Sequence, residues 1–112
     1  MAFVVLVKNV NSSIHPDQII NLMGNNNMPM GENIKYYKVR KLDTEKQIYT
    51  LYIKYRSFKD SNEKMCNFHN ELINYRWIKL QFENNLTFKI CMKKIDYYNF
   101  VYGNFTYGDY IY

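Results

Sequence analysis

A chain of 112 residues, 47% hydrophobic and 22% charged, supports one domain with one core and is too apolar for a disordered tail. Two cysteines cannot build a disulfide framework, and no apolar run approaches the ~18 residues of a membrane span. The formal net charge of +5 is concentrated: residues 33–59 hold Lys35, Lys38, Arg40, Lys41, Lys46, Lys54, Arg56 and Lys59 against Asp43 and Glu45, a balance that a polyanion would select.

Residues 3–10 read as a buried strand, short, apolar and β-branched. That opening run is too short for a signal peptide and lacks a basic start. An intracellular location is expected, with Cys66 and Cys91 as reduced thiols. His15-Pro16-Asp17 then announces a helix, because proline suits the first helical position and Asp17 suits the positive end of the helix dipole. Ile19, Ile20, Leu22 and Met23 give one apolar stripe, so the helix is predicted over residues 16–23, with Gly24 ending it.

Residues 34–42 alternate weakly, placing Tyr37 and Val39 on one side and Tyr36, Lys38 and Arg40 on the other. After an Asp43-Thr44-Glu45-Lys46 turn, residues 47–55 alternate cleanly, with Tyr49, Leu51, Ile53 and Tyr55 against Ile48, Thr50, Tyr52 and Lys54. The pair predicts an antiparallel hairpin. Asp60-Ser61-Asn62-Glu63 has the spacing of a capping box, and Met65, Phe68, His69, Leu72 and Ile73 continue a helix that Asn74 ends. Residues 77–82 and 86–92 read as a second hairpin.

The last stretch differs. Tyr97, Tyr98, Tyr102, Phe105, Tyr107 and Tyr110 crowd into a segment without Lys or Arg. It is read as an extension over residues 95–112 that either packs on the sheet as an extra strand or docks onto another chain. Residues 1–94 form the domain. Usage rich in Asn, Lys, Ile and Tyr suits AT-rich coding DNA, as in a large DNA virus or an AT-rich protist.

The element order predicts an α+β, split βαβ ferredoxin-like sandwich: an antiparallel sheet with two helices on one face. Order and local signals resemble the RNA recognition motif. Val5-Leu6-Val7-Lys8-Asn9-Val10 is similar to that family's first-strand segment. Gln18-Ile19…Leu22-Met23 is similar to its first helix, and Tyr52-Ile53-Lys54-Tyr55 to the end of its third-strand signature. The likeness spans about residues 3–93.

The resemblance implies that rings on the open sheet face stack on unpaired bases, each worth ~1–3 kcal/mol. Carried over, the ring positions fall on Leu6, Thr50 and Tyr52, of which only Tyr52 is aromatic. The expected glycine is Tyr49 and the expected small residue is Leu51. Two missing rings forfeit ~2–6 kcal/mol, against the ~8 kcal/mol of micromolar binding. Tyr36, Lys8, Lys38, Arg40, Lys54 and Lys89 are expected to compensate on the same face, the cations as a track for phosphates.

Other chemistry finds less support. Cys66-x-x-His69 offers two zinc ligands of the four needed, so core packing is expected and no metal or cofactor. There is no nucleophile elbow or phosphate loop, so no enzyme is expected. Trp77 and Tyr75 near Arg76 allow an aromatic-cationic patch, although a half-buried hairpin anchor is the commoner reading. The expected partner is single-stranded nucleic acid, RNA before DNA. The alternative is a protein partner, with the Tyr-rich tail building a homo-oligomer or seating the chain in a larger viral or cellular assembly.

Overall fold

The computed structural model describes residues 2–83 and 85–103. Strand β1 (Phe3–Asn11) leads to helix α1 (Pro16–Asn25), a short 3-10 turn (Gly31–Asn33) and the hairpin β2 (Ile34–Asp43) and β3 (Ile48–Tyr55). Helix α2 (Glu63–Tyr75), the hairpin β4 (Trp77–Glu83) and β5 (Leu86–Met92), and helix α3 (Lys94–Val101) follow. The five strands form one sheet in the order β2-β3-β1-β5-β4, with every adjacent pair antiparallel. Strands β1, β2 and β4 therefore run one way, and β3 and β5 the other. The chain is α+β.

Alternation sorts the two faces. On β3, Tyr49, Leu51, Ile53 and Tyr55 are buried while Ile48, Thr50, Tyr52 and Lys54 are only half-buried. The buried set joins Val5 and Val7 of β1, Leu80 of β4 and Phe88, Ile90 and Met92 of β5. Ile19 and Met23 of α1, and Met65, Phe68 and Leu72 of α2, complete that core. Both helices thus cover one face, and each fully buried side chain of this size contributes about 1.5–3 kcal/mol.

Several boundaries differ from the sequence expectation. Helix α1 runs through Gly24, because the cap falls on Asn26: its amide and its side-chain Nδ2 both donate to the Leu22 carbonyl, at 3.0 and 2.8 Å. At the start of α1, His15 Nδ1 accepts from the Asp17 amide and Gln18 reaches back to the His15 amide. Helix α2 is capped by Asn62, whose Oδ1 accepts from the Met65 amide at 3.2 Å, and not from Asp60. It passes Asn74 and ends at Arg76, which adopts φ 68° and turns the chain into β4 within one residue.

The tail expectation needs the larger correction. Residues 94–101 are helix α3 and not an added strand. Long-range bonds hold it: the Val4 amide donates to the Asp96 carboxylate at 2.8 Å, and the Lys93 amide donates to the Val4 carbonyl at 2.7 Å. Tyr97 and Phe100 pack against the core, and the Phe100 ring meets Phe3 and His69 edge-on, at 6.1 and 4.0 Å between centroids. Phe105, Tyr107 and Tyr110 lie outside the described residues. Among those described, no helix is long and apolar enough to cross a membrane.

Candidate nucleic-acid interface

The face of the sheet turned away from α1 and α2 is built by register. Tyr52 on β3 stands between Lys38 on β2 and Leu6 on β1. Leu6 in turn faces Cys91 on β5, and Cys91 faces Trp77 on β4. One row, Lys38–Tyr52–Leu6–Cys91–Trp77, therefore crosses all five strands. On one side of it Tyr36 pairs with Lys54 and Lys54 with Val4; on the other, Arg40 pairs with Thr50 and Lys79 with Lys89. No carboxylate stands at any of these positions.

All nine expected interface residues meet here: Leu6, Lys8, Tyr36, Lys38, Arg40, Thr50, Tyr52, Lys54 and Lys89. Lys8 sits where β1 slips register between Val7 and Val10, beside Asn9 at φ 57°. Such bulges bend a strand and re-aim its side chains. Tyr49 and Leu51, where the resemblance led to an expectation of small residues, point into the core, and the Tyr49 hydroxyl donates to the Ile14 carbonyl. Those two departures fill the helix side and leave the open face untouched. The departures at Leu6 and Thr50 do change that face.

Cations already rest on its rings. Lys38 Nζ lies 4.9 Å from the Tyr36 centroid, the Arg40 guanidinium 5.6 Å from that of Tyr52, and Lys89 Nζ 4.7 Å from that of Trp77. Such contacts are worth about 0.5–1 kcal/mol at exposed sites. Among the described residues none of these three rings stacks on another aromatic side chain.

Trp77 lines one cleft with Arg76, as the patch reading has it. It is 43% exposed and ends the row. The alternation of β4 sets its side, with Trp77, Lys79 and Gln81 opposing the apolar Ile78, Leu80 and Phe82. Around it opens a cleft of about 540 Å³ lined by Lys8, Arg76, Trp77, Lys89 and Cys91 among others. Burial pushes the Cys91 thiol up, with the Lys8 ammonium opposing, which favours the neutral thiol on the cleft floor. A second cleft, about 380 Å³, lies between the helices and β4, where Glu71 stands with Lys64 and Lys79 and no aromatic ring but Phe68 lines it.

The tail residues lie elsewhere. Tyr97 is covered by the Arg76 guanidinium at 4.6 Å, Tyr98 meets Tyr97 edge-on, and Tyr102 is 63% exposed just past α3. The Cys66 thiol donates to the Asp60 carbonyl, whereas His69 lies among Phe3, Phe58 and Phe100. Among the described residues no group of three or more His, Cys, Asp or Glu is placed to hold a metal.

No family model, no curated protein and no solved structure matches the chain.

Proposed function

We propose that this chain is a non-enzymatic, intracellular binding protein that holds single-stranded nucleic acid, RNA in the first instance, on the open face of its sheet. The fold reading that goes with it is a split βαβ, ferredoxin-like sandwich of the RNA-recognition-motif kind. Strands β1 and β2 run the same way with β3 between them, β5 takes the place of the fourth strand, and β4 is an additional edge strand.

The observation that carries the function is the coincidence of Tyr52 with Lys38, Arg40, Lys54 and Lys8, at paired positions where no carboxylate stands. A base stacks on Tyr52 in place of Arg40, and the displaced guanidinium and neighbouring lysines take the phosphates on either side. Tyr36 offers a flanking ring, 42% exposed. A filter-binding titration of single-stranded RNA and DNA at low salt tests this. Retention that falls steeply with added salt is expected, and no retention of any single strand at low salt overturns it.

A second reading rests on a different surface. Val101 and Tyr102 are exposed, at 41% and 63%, at the C-terminal end of the described chain. Such a ring suits a protein interface or a homo-oligomer. Val101→Ser with Tyr102→Ser, and separately deletion of residues 104–112, are read by light scattering against the whole chain. A drop in mass supports this reading, and an unchanged monomer removes the homo-oligomer.

A further inference from the structure

We propose that Trp77 is a second stacking platform, where a base of the same bound strand lies in the cleft beside β4 with Lys8, Arg76 and Lys89 on its phosphates; this rests on the nucleic-acid reading above. The ring positions expected from sequence are all on β1 and β3. Trp77 stands on the edge strand β4, at the far end of the row from Lys38.

Three observations converge on it. First, the largest aromatic side chain of the protein is left 43% exposed on a sheet face, although a position on the opposite side of β4, such as Leu80, is fully buried. Its place is set by the backbone: Arg76, in the left-handed region, turns α2 straight into the strand. Second, the exposed ring already holds a cation, Lys89 Nζ, at 4.7 Å, so its π-face is accessible to a planar or charged partner. Third, the cleft has a chemistry of one sign. Lys8, Arg76 and Lys89 line it, and no carboxylate does. A ring with three cations and no acid fits an aromatic ligand that carries its own negative charge, which is the description of a nucleotide.

The spacing makes the two rings complementary rather than redundant. From Tyr52 on β3 to Trp77 on β4 the row crosses three inter-strand steps of about 4.8 Å, or about 14 Å. One nucleotide cannot bridge that distance, so the rings take different bases of one strand. Leu6 and Cys91 lie between them and give the strand an apolar, uncharged bed.

Trp77 is the chain's one tryptophan, so its fluorescence reports on this position alone. The probes are an oligouridylate and an oligothymidylate of about eight nucleotides, longer than the about four stacked nucleotides that span the two rings at about 3.4 Å each. Saturable quenching of Trp77 by either probe is expected, with a midpoint matching filter retention of the same oligonucleotide. Trp77→Ala should weaken retention by about 5- to 150-fold, the loss of one stacked base, whereas Trp77→Phe should weaken it far less. Retention accompanied by unchanged Trp77 emission, or by a Trp77→Ala protein that binds like the wild type, overturns the second platform and leaves the proposed function standing. Failure of both probes to be retained on the filter at low salt overturns the two together.

Discussion

The Arg40 guanidinium lies over the ring of Tyr52, 5.6 Å from its centroid, although Arg40 is paired across the strands with Thr50. The contact is diagonal, reached by a side chain long enough to cross one residue pair. Ring and cation are therefore held together before any ligand arrives, and they should be separable by mutation. Tyr52→Ala should weaken binding of a single strand by about 1–3 kcal/mol, with Tyr52→Phe retaining most of it. Arg40→Gln should instead lower the slope of log affinity against log salt by about 0.7. Titrations at several salt concentrations check both, and equal salt slopes for Arg40→Gln and the wild type would count against the phosphate role.

Tyr49 makes the opposite prediction. Its ring is in the core and its hydroxyl donates to the Ile14 carbonyl. Tyr49→Phe should cost about 0.5–1.5 kcal/mol of stability, read from urea unfolding, and leave nucleic-acid affinity unchanged. A large affinity change without a stability change would mean that the two faces of β3 are assigned the wrong way round.

His69 should make stability depend on pH. Burial among Phe3, Phe58 and Phe100 lowers its pKa below the ordinary histidine value, with a hydrogen bond to Asn70 acting the other way. The unfolded chain therefore takes up this proton before the folded chain does. Stability from His69 is complete above the ordinary value near 6.5, falls as pH drops below it, and levels off below the folded pKa. Urea midpoints measured between about pH 7.5 and 5 should fall in the wild type. They should fall less in His69→Phe, which keeps a ring but cannot titrate.

Asp96 ties α3 to the sheet by accepting the Val4 amide at 2.8 Å. Asp96→Ala removes a charge-assisted bond worth about 1.5–3 kcal/mol. The expected result is earlier proteolysis near residues 94–101, with the remaining sheet still protected. Hydrogen exchange at the Val4 amide should rise in the same variant.

The parts of the fold legible in sequence are those with strong periodicity. On β3, four apolar residues alternating with Ile48, Thr50, Tyr52 and Lys54 fix which face is buried, and the hairpin partners of Tyr52 follow from that alone. Helix ends were less legible, because the caps depend on single hydrogen bonds such as those of Asn26 and Asn62. Helix α3 was not legible: its residues carry no apolar stripe, and contacts with Val4, Phe3 and His69, distant in sequence, hold it. For Trp77 the sequence left two readings, a patch beside Arg76 and a hairpin anchor. Its exposure follows from a one-residue junction at Arg76 that places it on the outward side of β4, whereas a large aromatic in a hairpin ordinarily anchors the core.

Strand β2 is a sheet edge, and nearly all of its length is solvent-exposed, including Tyr37, Val39 and Leu42. An uncovered edge of this kind invites a second copy to add on. Lys35, Lys38, Arg40 and Lys41 stand along it, and Lys41 at φ 52° interrupts its regular backbone near the end. The same ammonium groups that would attract a polyanion thus keep two identical molecules apart by mutual repulsion. Solubility and ligand capture are coupled through one set of charges: variants stripped of several lysines should become self-adhesive as well as poor binders, and concentrated salt should push the intact protein in the same direction.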